Sequence, residues 1–309
     1  MKTILLLFTF IFLSLPFYSQ VNSAKPESRD KTHSSTGSEE KEGKEKEKII
    51  RWNFGINIGT YFANKYPASF YNGSPGNENT VNYVLSNKYW YDEIKKALRA
   101  SYKVTVSENG YPADMHYNFV MSGGLFIRYN FNRNWGLCLD VNYTQLKAED
   151  MVQYDIDTVT YLTYRQYVME PIRGIERRVH LDLLLQRNFW LKSNIYFFLQ
   201  GGMNLNYTRV TKNSIYIEGA EYSIVNIYAS PYIPGVQMVE NVVIQGGVGY
   251  GFALGGGMGF PLIDQLGIEP GGFINYNNVA LLGYPDFKIS YGFYVRFLFG
   301  NILPRPEAD

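Results

Sequence analysis

The sequence predicts an all-β protein, an eight-stranded antiparallel transmembrane β-barrel with long extracellular loops and one short helix in the first loop. Apolar and polar residues alternate along several segments, which is typical of strands with two unlike faces. The connections between these segments are alternately short and long, as in outer-membrane barrels. No run of about 20 apolar residues occurs, so a membrane would have to be crossed by strands.

The clearest alternation covers residues 117–131 and 135–143. One face is apolar with aromatic ends, and the other is mostly polar or small. A soluble sandwich would pack the apolar face on a second sheet, whereas a membrane barrel would turn it to lipid. Charges in mid-strand, Arg128 and Asp140, suit a barrel interior better than a thin solvated sheet. The aromatic ends suit the girdles of a membrane interface, so the pattern favours the barrel.

Residues 1–20 are typical of a secretory signal, with Lys2 followed by an apolar core at 4–15. Cleavage is expected after Gln20 or as late as Ala24. Residues 21–48 are rich in Lys, Glu and Ser, so we expect a disordered periplasmic spacer, with a docking tail for a periplasmic partner as the alternative. The barrel is predicted over 50–300 and a short tail over 301–309.

The first strand is predicted at 52–59, and a long connection follows over 61–115. This connection contains the predicted helix, over 86–101, which Ser86 or Asn87 can cap. Its apolar stripe consists of Trp90, Ile94 and Leu98. The helix is expected either to cover the barrel mouth or to bind a partner, and the stripe is the candidate partner-binding surface.

The remaining strands follow the same alternation, and are predicted at 117–131, 135–143, 179–186, 195–207, 250–260, 266–269 and 289–299. Connections after the second, fourth and sixth strands are short, and the others are long, including 146–174 and 211–240. The third long connection is expected to continue as a hairpin around 215–227. Because the strand number is even, both termini are expected on the periplasmic side of the outer membrane.

An eight-stranded barrel is just wide enough to be filled by side chains, so its inward charges should be paired. We predict one ion pair between Glu269 and Arg296 on neighbouring strands. A second is predicted between Arg128 and Asp140, which are diagonal neighbours across a hairpin. A row of glycines over 251–259 should face inward and leave room for large side chains, with Phe126, Tyr196 and Phe198 as candidates.

Catalytic chemistry has one candidate, in which His180 and Asp182 share a face and Ser122 points inward from another strand. A satisfied interior network explains the same residues, so no enzyme activity, cofactor or metal is expected. The single cysteine, Cys138, reads as a small interior residue. A net charge of +1 gives no reason to expect nucleic acid as a partner.

Through the segments 179–186, 197–203 and 295–300, the chain from 50 to 300 resembles PorT-like outer-membrane β-barrel proteins of the Bacteroidota type. The resemblance implies an outer-membrane location in a Gram-negative bacterium, no enzyme activity and, for some members, a tie to protein secretion. We therefore expect a partner-binding subunit of an envelope, secretion or assembly complex. It would contact outer-membrane lipid and other envelope proteins, the latter through its extracellular loops. The alternatives are a narrow small-solute pore and an outer-membrane lipid- or protein-modifying enzyme.

Overall fold

The computed structural model describes residues 52–157, 166–191, 195–228, 232–263 and 266–300. The predicted signal peptide, spacer and tail, at 1–20, 21–48 and 301–309, lie outside these residues. No helix in the described part of the chain is long and apolar enough to cross a membrane.

Eight antiparallel strands close into a barrel, as the sequence predicts. Neighbours follow the order β4, β3, β1, β10, β9, β8, β6 and β5, and pairing between β4 and β5 closes the ring. Two short strands extend it, since β2 pairs with β4 and β7 pairs with β6. The strands are β1 (Trp52–Phe62), β2 (Val104–Val106), β3 (Val120–Asn130), β4 (Trp135–Ile156), β5 (Gln166–Trp190), β6 (Tyr196–Ile217), β7 (Ala220–Ser223), β8 (Val248–Ile263), β9 (Leu266–Asn277) and β10 (Lys288–Phe299).

The two faces of the barrel strands differ in polarity because successive side chains point to opposite sides. In β1 the outward side chains Trp52, Phe54 and Ile56 are exposed, while Asn53 and Asn57 are buried inside. The other barrel strands likewise have apolar side chains on the outside and mostly polar or small ones inside, which is the reverse of the pattern in water-soluble proteins. An apolar outside and a polar inside are what a strand needs when its solvent is lipid.

Three adjacent strands are longer than the other five strands of the barrel. β4 and β6 have 22 residues each and β5 has 25, whereas β1 and β3 have 11. The predicted connection over 146–174 is therefore wrong, because most of it continues β4 and β5. The predicted hairpin is present, since β6 turns into β7 at Glu218 and Gly219, both with positive φ as this tight turn requires.

The three short connections, which join β3 to β4, β5 to β6 and β8 to β9, belong to the same end of the barrel. The strand predicted at 250–260 ends too early, because β8 continues to Ile263. Phe54 near the start of β1 pairs with Phe299 at the end of β10, so the barrel begins and ends at this same end. The long connections lie at the opposite end, which we call the outer end.

The first outer connection, over 63–119, contains two α-helices rather than the single predicted one. They are α1 (Val81–Ser86) and α2 (Lys88–Ala97), and a 3-10 helix (Tyr66–Tyr71) precedes them. Asn87 separates the α-helices because its backbone is extended. Its side chain accepts hydrogen bonds from the backbone N–H groups of Tyr89 and Trp90, as an N-cap does. Ser86, the other predicted cap, ends α1.

The inward glycine row of β8 makes room for aromatic rings, as predicted. A Cβ at Gly257 would lie 2.8 Å from the Phe198 ring, and one at Gly259 would overlap the Tyr196 ring. The Phe126 ring does not pack on this glycine row; it lies against Gly55 of β1. Only glycine lets these rings lie flat against the barrel wall.

Candidate functional site

Four charged side chains fill the lumen near the end with the short turns. They are Arg128, Asp140, Glu269 and Arg296, and we call them the inner charged cluster. Glu269 and Arg296 are register partners on β9 and β10, and Arg296 Nη1 lies 2.9 Å from Glu269 Oε2, which is the pair the sequence predicts. All four side chains are buried. With both carboxylates ionised their charges sum to zero, which is how buried charges are tolerated.

The predicted direct pair between Arg128 and Asp140 does not form. Arg128 Nη1 instead lies 2.7 Å from Glu269 Oε1, and Asp140 Oδ2 lies 2.8 Å from Arg296 Nη2. Phe126, the register partner of Asp140, lies beside both guanidinium groups, with its ring 4.0 Å from that of Arg296 and 5.4 Å from that of Arg128. The charges thus pair across the lumen and not along the diagonal of the hairpin.

Further hydrogen bonds fix the inner charged cluster. The Tyr196 hydroxyl donates to Glu269 Oε1 at 2.5 Å, and Arg296 Nε donates to Asn57 Oδ1 at 3.1 Å. The elements that supply these groups are β1, β3, β4, β6, β9 and β10, so the cluster ties together six of the eight barrel strands. It works as a polar core in a barrel whose apolar side chains face outward.

A cavity of about 30 Å³ lies in the lumen beside this cluster, and Asp140, His180, Asp182 and Ser122 are among its lining residues. Thr144 Oγ1, Asp140 Oδ1 and both His180 ring nitrogens lack hydrogen-bond partners. A space of this size with several free polar atoms suits one or two water molecules. It is too small for an organic substrate.

The catalytic candidate does not assemble as a hydrogen-bonded triad. His180 contacts the Tyr61 ring, with ring centroids 5.0 Å apart, and bonds to neither Asp182 nor Ser122. Asp182 accepts a hydrogen bond from Asn204 instead. Cys138, the single cysteine, is buried with its sulfur 3.3 Å from Gln186 Oε1, which fits the expected interior role.

The outer end of the barrel is filled by a large apolar cluster, which we call the outer cluster. The first outer connection supplies its centre, and inward side chains of β4, β5 and β6 supply its wall. Its members include Phe70, Val81, Val84, Trp90, Ile94, Leu146, Val152, Ile172, Val210, Ile215 and Ile217. Residues 63–101 therefore act as a plug in the outer mouth, which the sequence left open as one of two possibilities.

The stripe proposed as a partner-binding surface belongs to this plug. Trp90, Ile94 and Leu98 are buried, and the Trp90 ring stacks on Tyr232 with centroids 5.0 Å apart. A buried side chain cannot also contact a second protein, so the prediction of a partner site at these three residues is wrong. Their apolar spacing reflects packing of α2 into the barrel mouth.

A polar latch, made by Tyr71, Tyr117, Glu176 and Arg178, holds the base of the plug. The Tyr71 hydroxyl donates to Glu176, Tyr117 donates to Glu176 at 3.1 Å, and Arg178 Nε lies 2.5 Å from Glu176 Oε1. Burial, together with the charge of Glu176, raises the pKa of Tyr71 well above its ordinary value of 10.0. Sequence reasoning missed this latch because Glu176 lies between the predicted connection, over 146–174, and the predicted strand that begins at 179, although it shares the alternation of Arg178 and His180.

The segment before β8 carries apolar side chains without cover. In the segment 232–244, before β8, Val239 is 73% exposed, Val242 81% and Ile244 66%. The next inward residue, Gln245, accepts a hydrogen bond from the backbone of Val210, which places the segment at the height of the outer cluster. An apolar strip of this kind marks an interaction surface.

No family model matches the chain, so membership of the PorT-like family stays a prediction. No curated protein matches it either.

Solved structures that resemble it are outer-membrane proteins. Neisserial surface protein A is 9% identical, with 80% of this chain and 95% of the other covered and a TM-score of 0.37. OprG of Pseudomonas aeruginosa is 11% identical (82% and 96%, TM-score 0.39), and the attachment invasion locus protein Ail of Yersinia pestis is 10% identical (81% and 98%, TM-score 0.31).

Proposed function

We propose that this protein is a non-enzymatic outer-membrane β-barrel of a Gram-negative bacterium, with both of its termini on the periplasmic side. The outward residues of β6 from Phe197 to Tyr207 are apolar apart from Gly201, and large. They cover roughly 33 Å of strand at ~3.3 Å per residue, or ~25 Å of height at a tilt of ~40°, which matches the apolar band of such barrels.

The filled lumen supports a role other than transport. The outer cluster closes one end, the inner charged cluster occupies the other, and the described cavity between them has room only for water. A small-solute pore would need a continuous aqueous path, so the geometry speaks against it. Acyl transfer is also disfavoured, because neither ring nitrogen of His180 has a hydrogen-bond partner and Asp182 accepts its hydrogen bond from Asn204.

The outer surface supports partner binding instead. The exposed strip of Val239, Val242 and Ile244 extends beyond the apolar band, where water would otherwise meet it. We infer that this strip, rather than the stripe of α2, contacts an apolar patch on another envelope protein. The single observation behind this is an uncovered apolar strip on an otherwise plugged barrel.

Substitution of the strip by threonine tests the proposal, because threonine keeps the shape of valine and adds a hydroxyl. Cross-linking and co-purification from native membranes would compare the triple variant Val239→Thr, Val242→Thr and Ile244→Thr with the wild type. The expected result is a loss of about tenfold or more in the recovered partner. Leu282→Thr is the matched control, since Leu282 is an equally exposed apolar residue of another outer connection.

Two outcomes would overturn the proposal. Equal recovery of the same partner with the triple variant would remove the strip from the interface. Steady conductance of the wild-type barrel in planar bilayers would show an open path through the lumen, and the pore would replace partner binding as the function.

A further inference from the structure

Two basic side chains, Arg177 of β5 and Arg209 of β6, lie side by side on the outside of the barrel. The register places Tyr143, Val179 and Tyr207 side by side, with Gln145, Arg177 and Arg209 as the next outward row towards the outer end. The row of Tyr143, Val179 and Tyr207 contains two aromatic rings and is the last row of the apolar band. The second row therefore begins where lipid tails give way to headgroups.

Arg177 and Arg209 are direct cross-strand partners. Register partners have Cβ atoms ~5 Å apart, so two like charges here destabilise the sheet unless something neutralises them. Within the described part of the chain neither guanidinium has an ion pair or a side-chain hydrogen bond. The repulsion between these two arginines therefore destabilises the isolated protein, and no described side chain neutralises it.

The carboxylates of this outer face already have partners. Glu149 Oε1 lies 2.7 Å from Arg173 Nη2, and its other oxygen pairs with Lys147. Glu221 is bound by Lys212 at 2.7 Å. The local charge thus remains positive at Arg177 and Arg209 after every close acidic neighbour has been assigned.

Space for a ligand exists beside the two arginines. Gly246 lies next to Arg209 on the β8 side, where a Cβ would be 3.4 Å from the Arg209 Cα, and it presents no side chain of its own. On the other side, the neighbour of Arg177 is the neutral Gln145. A headgroup could therefore reach both guanidinium groups from the membrane side without displacing a large residue.

We propose that Arg177 and Arg209 form a binding site for the phosphate group of an outer-leaflet glycolipid. A planar guanidinium offers paired N–H donors that match phosphate oxygens, and two adjacent guanidinium groups can share one phosphate. Tyr143 and Tyr207, just below, would lie against the sugar and the first methylenes of the acyl chains. This inference rests on the proposed placement of the barrel in the outer membrane.

Native mass spectrometry of the full chain in detergent micelles tests the site, with diphosphorylated lipid A as the probe. The double variant Arg177→Gln and Arg209→Gln is expected to bind lipid A at least about tenfold more weakly, since each lost charge-assisted bond is worth more than ~1.4 kcal/mol. Arg187→Gln is the matched control, because Arg187 is an exposed arginine at the opposite end of β5. It is expected to bind lipid A like the wild type.

Two further measurements separate the possible failures. Lipid A without phosphate should bind all three proteins equally weakly, and inorganic phosphate at equal concentration should not compete. Equal lipid A binding by the double variant, or competition by inorganic phosphate, would overturn the lipid site. The heat-modifiable gel mobility of the folded barrel is read in the same samples. A wild-type chain that fails to insert into lipid vesicles would instead refute the membrane placement itself.

Discussion

The inner and outer halves of β4, β5 and β6 have the same backbone geometry and opposite polarity. Between Trp135 and Tyr143 the outward side chains of β4 are apolar, and the inward ones are polar or small. Beyond Gln145 the inward side chains, such as Leu146 and Val152, are apolar and buried, and Lys147 and Glu149 face outward. The alternation along a strand thus depends on whether its outer face contacts lipid or water. The point at which the apolar residues move from the outward to the inward face marks the membrane boundary.

The two halves are consequently held together by different forces. The outer half has a conventional apolar core, so burial of surface from water stabilises it. The inner half has lipid outside, which removes most of that driving force, and relies on ion pairs and hydrogen bonds across the lumen. Changes in one half should therefore affect stability by a mechanism that is absent from the other.

The largest effect is expected in the inner half, at the carboxylate that joins two arginines. Glu269→Gln leaves Arg128 and Arg296 short of their shared counter-charge. Breaking a buried pair in this way costs about 5 kcal/mol. Urea unfolding in lipid vesicles measures the loss. Glu221→Gln, which removes a half-exposed partner of Lys212, is the control and should cost less than ~1 kcal/mol.

A matched effect in the outer half should come from loss of apolar packing. Trp90→Ala removes the largest ring of the plug and should cost about 3 kcal/mol. Because the loss is local, proteases should cut within 63–101 while the barrel keeps its folded mobility on gels. Tyr89→Ala, at an exposed neighbour, should leave the plug protected. Global unfolding of the Trp90 variant would show that the two halves are one cooperative unit.

The boundary itself can be tested on a single strand. Met203 and Thr211 both face outward from β6, but only Met203 lies within the apolar band. Met203→Arg should destabilise the barrel in vesicles by about 2–4 kcal/mol, since a charge near the bilayer centre is poorly solvated. Thr211→Arg, which removes one exposed hydrogen bond to the Ile175 carbonyl, should cost less than ~1 kcal/mol. Equal costs at the two positions would remove the membrane boundary from this part of β6.

The sequence was sufficient for the barrel strands because their alternation is strict and their apolar face is continuous. It also located the pair of Glu269 and Arg296, which are direct neighbours and so follow from register alone. The predicted pairing of Arg128 and Asp140 failed because each has a partner across the lumen, Glu269 and Arg296, and contacts across the lumen are set by packing in three dimensions.

The outer half was missed for a different reason. Residues 146–156 continue the alternation of β4, but the apolar residues move to the other face, so a search for outward apolar residues ends at Tyr143. The latch at Glu176 was not predicted for the same reason. The stripe of Trp90, Ile94 and Leu98 was found correctly as an apolar face, but a sequence pattern does not show whether such a face packs within its own chain or on a partner.

The smallest effect is expected at the latch between the halves. Tyr71→Phe removes the hydroxyl that donates to Glu176 and should cost the plug about 2 kcal/mol at neutral pH. Because the folded plug raises the pKa of Tyr71, the contribution of this group is complete below pH 10.0, its ordinary pKa, and falls as the pH rises above it. Protease cleavage within 63–101 should therefore increase in alkaline solution, with a shallower rise in the Tyr71→Phe variant than in wild type. Tyr89→Phe, at an exposed tyrosine, should follow the wild-type curve. If cleavage of the Tyr71→Phe variant rises with pH as steeply as that of the wild type, ionisation of Tyr71 does not loosen the plug.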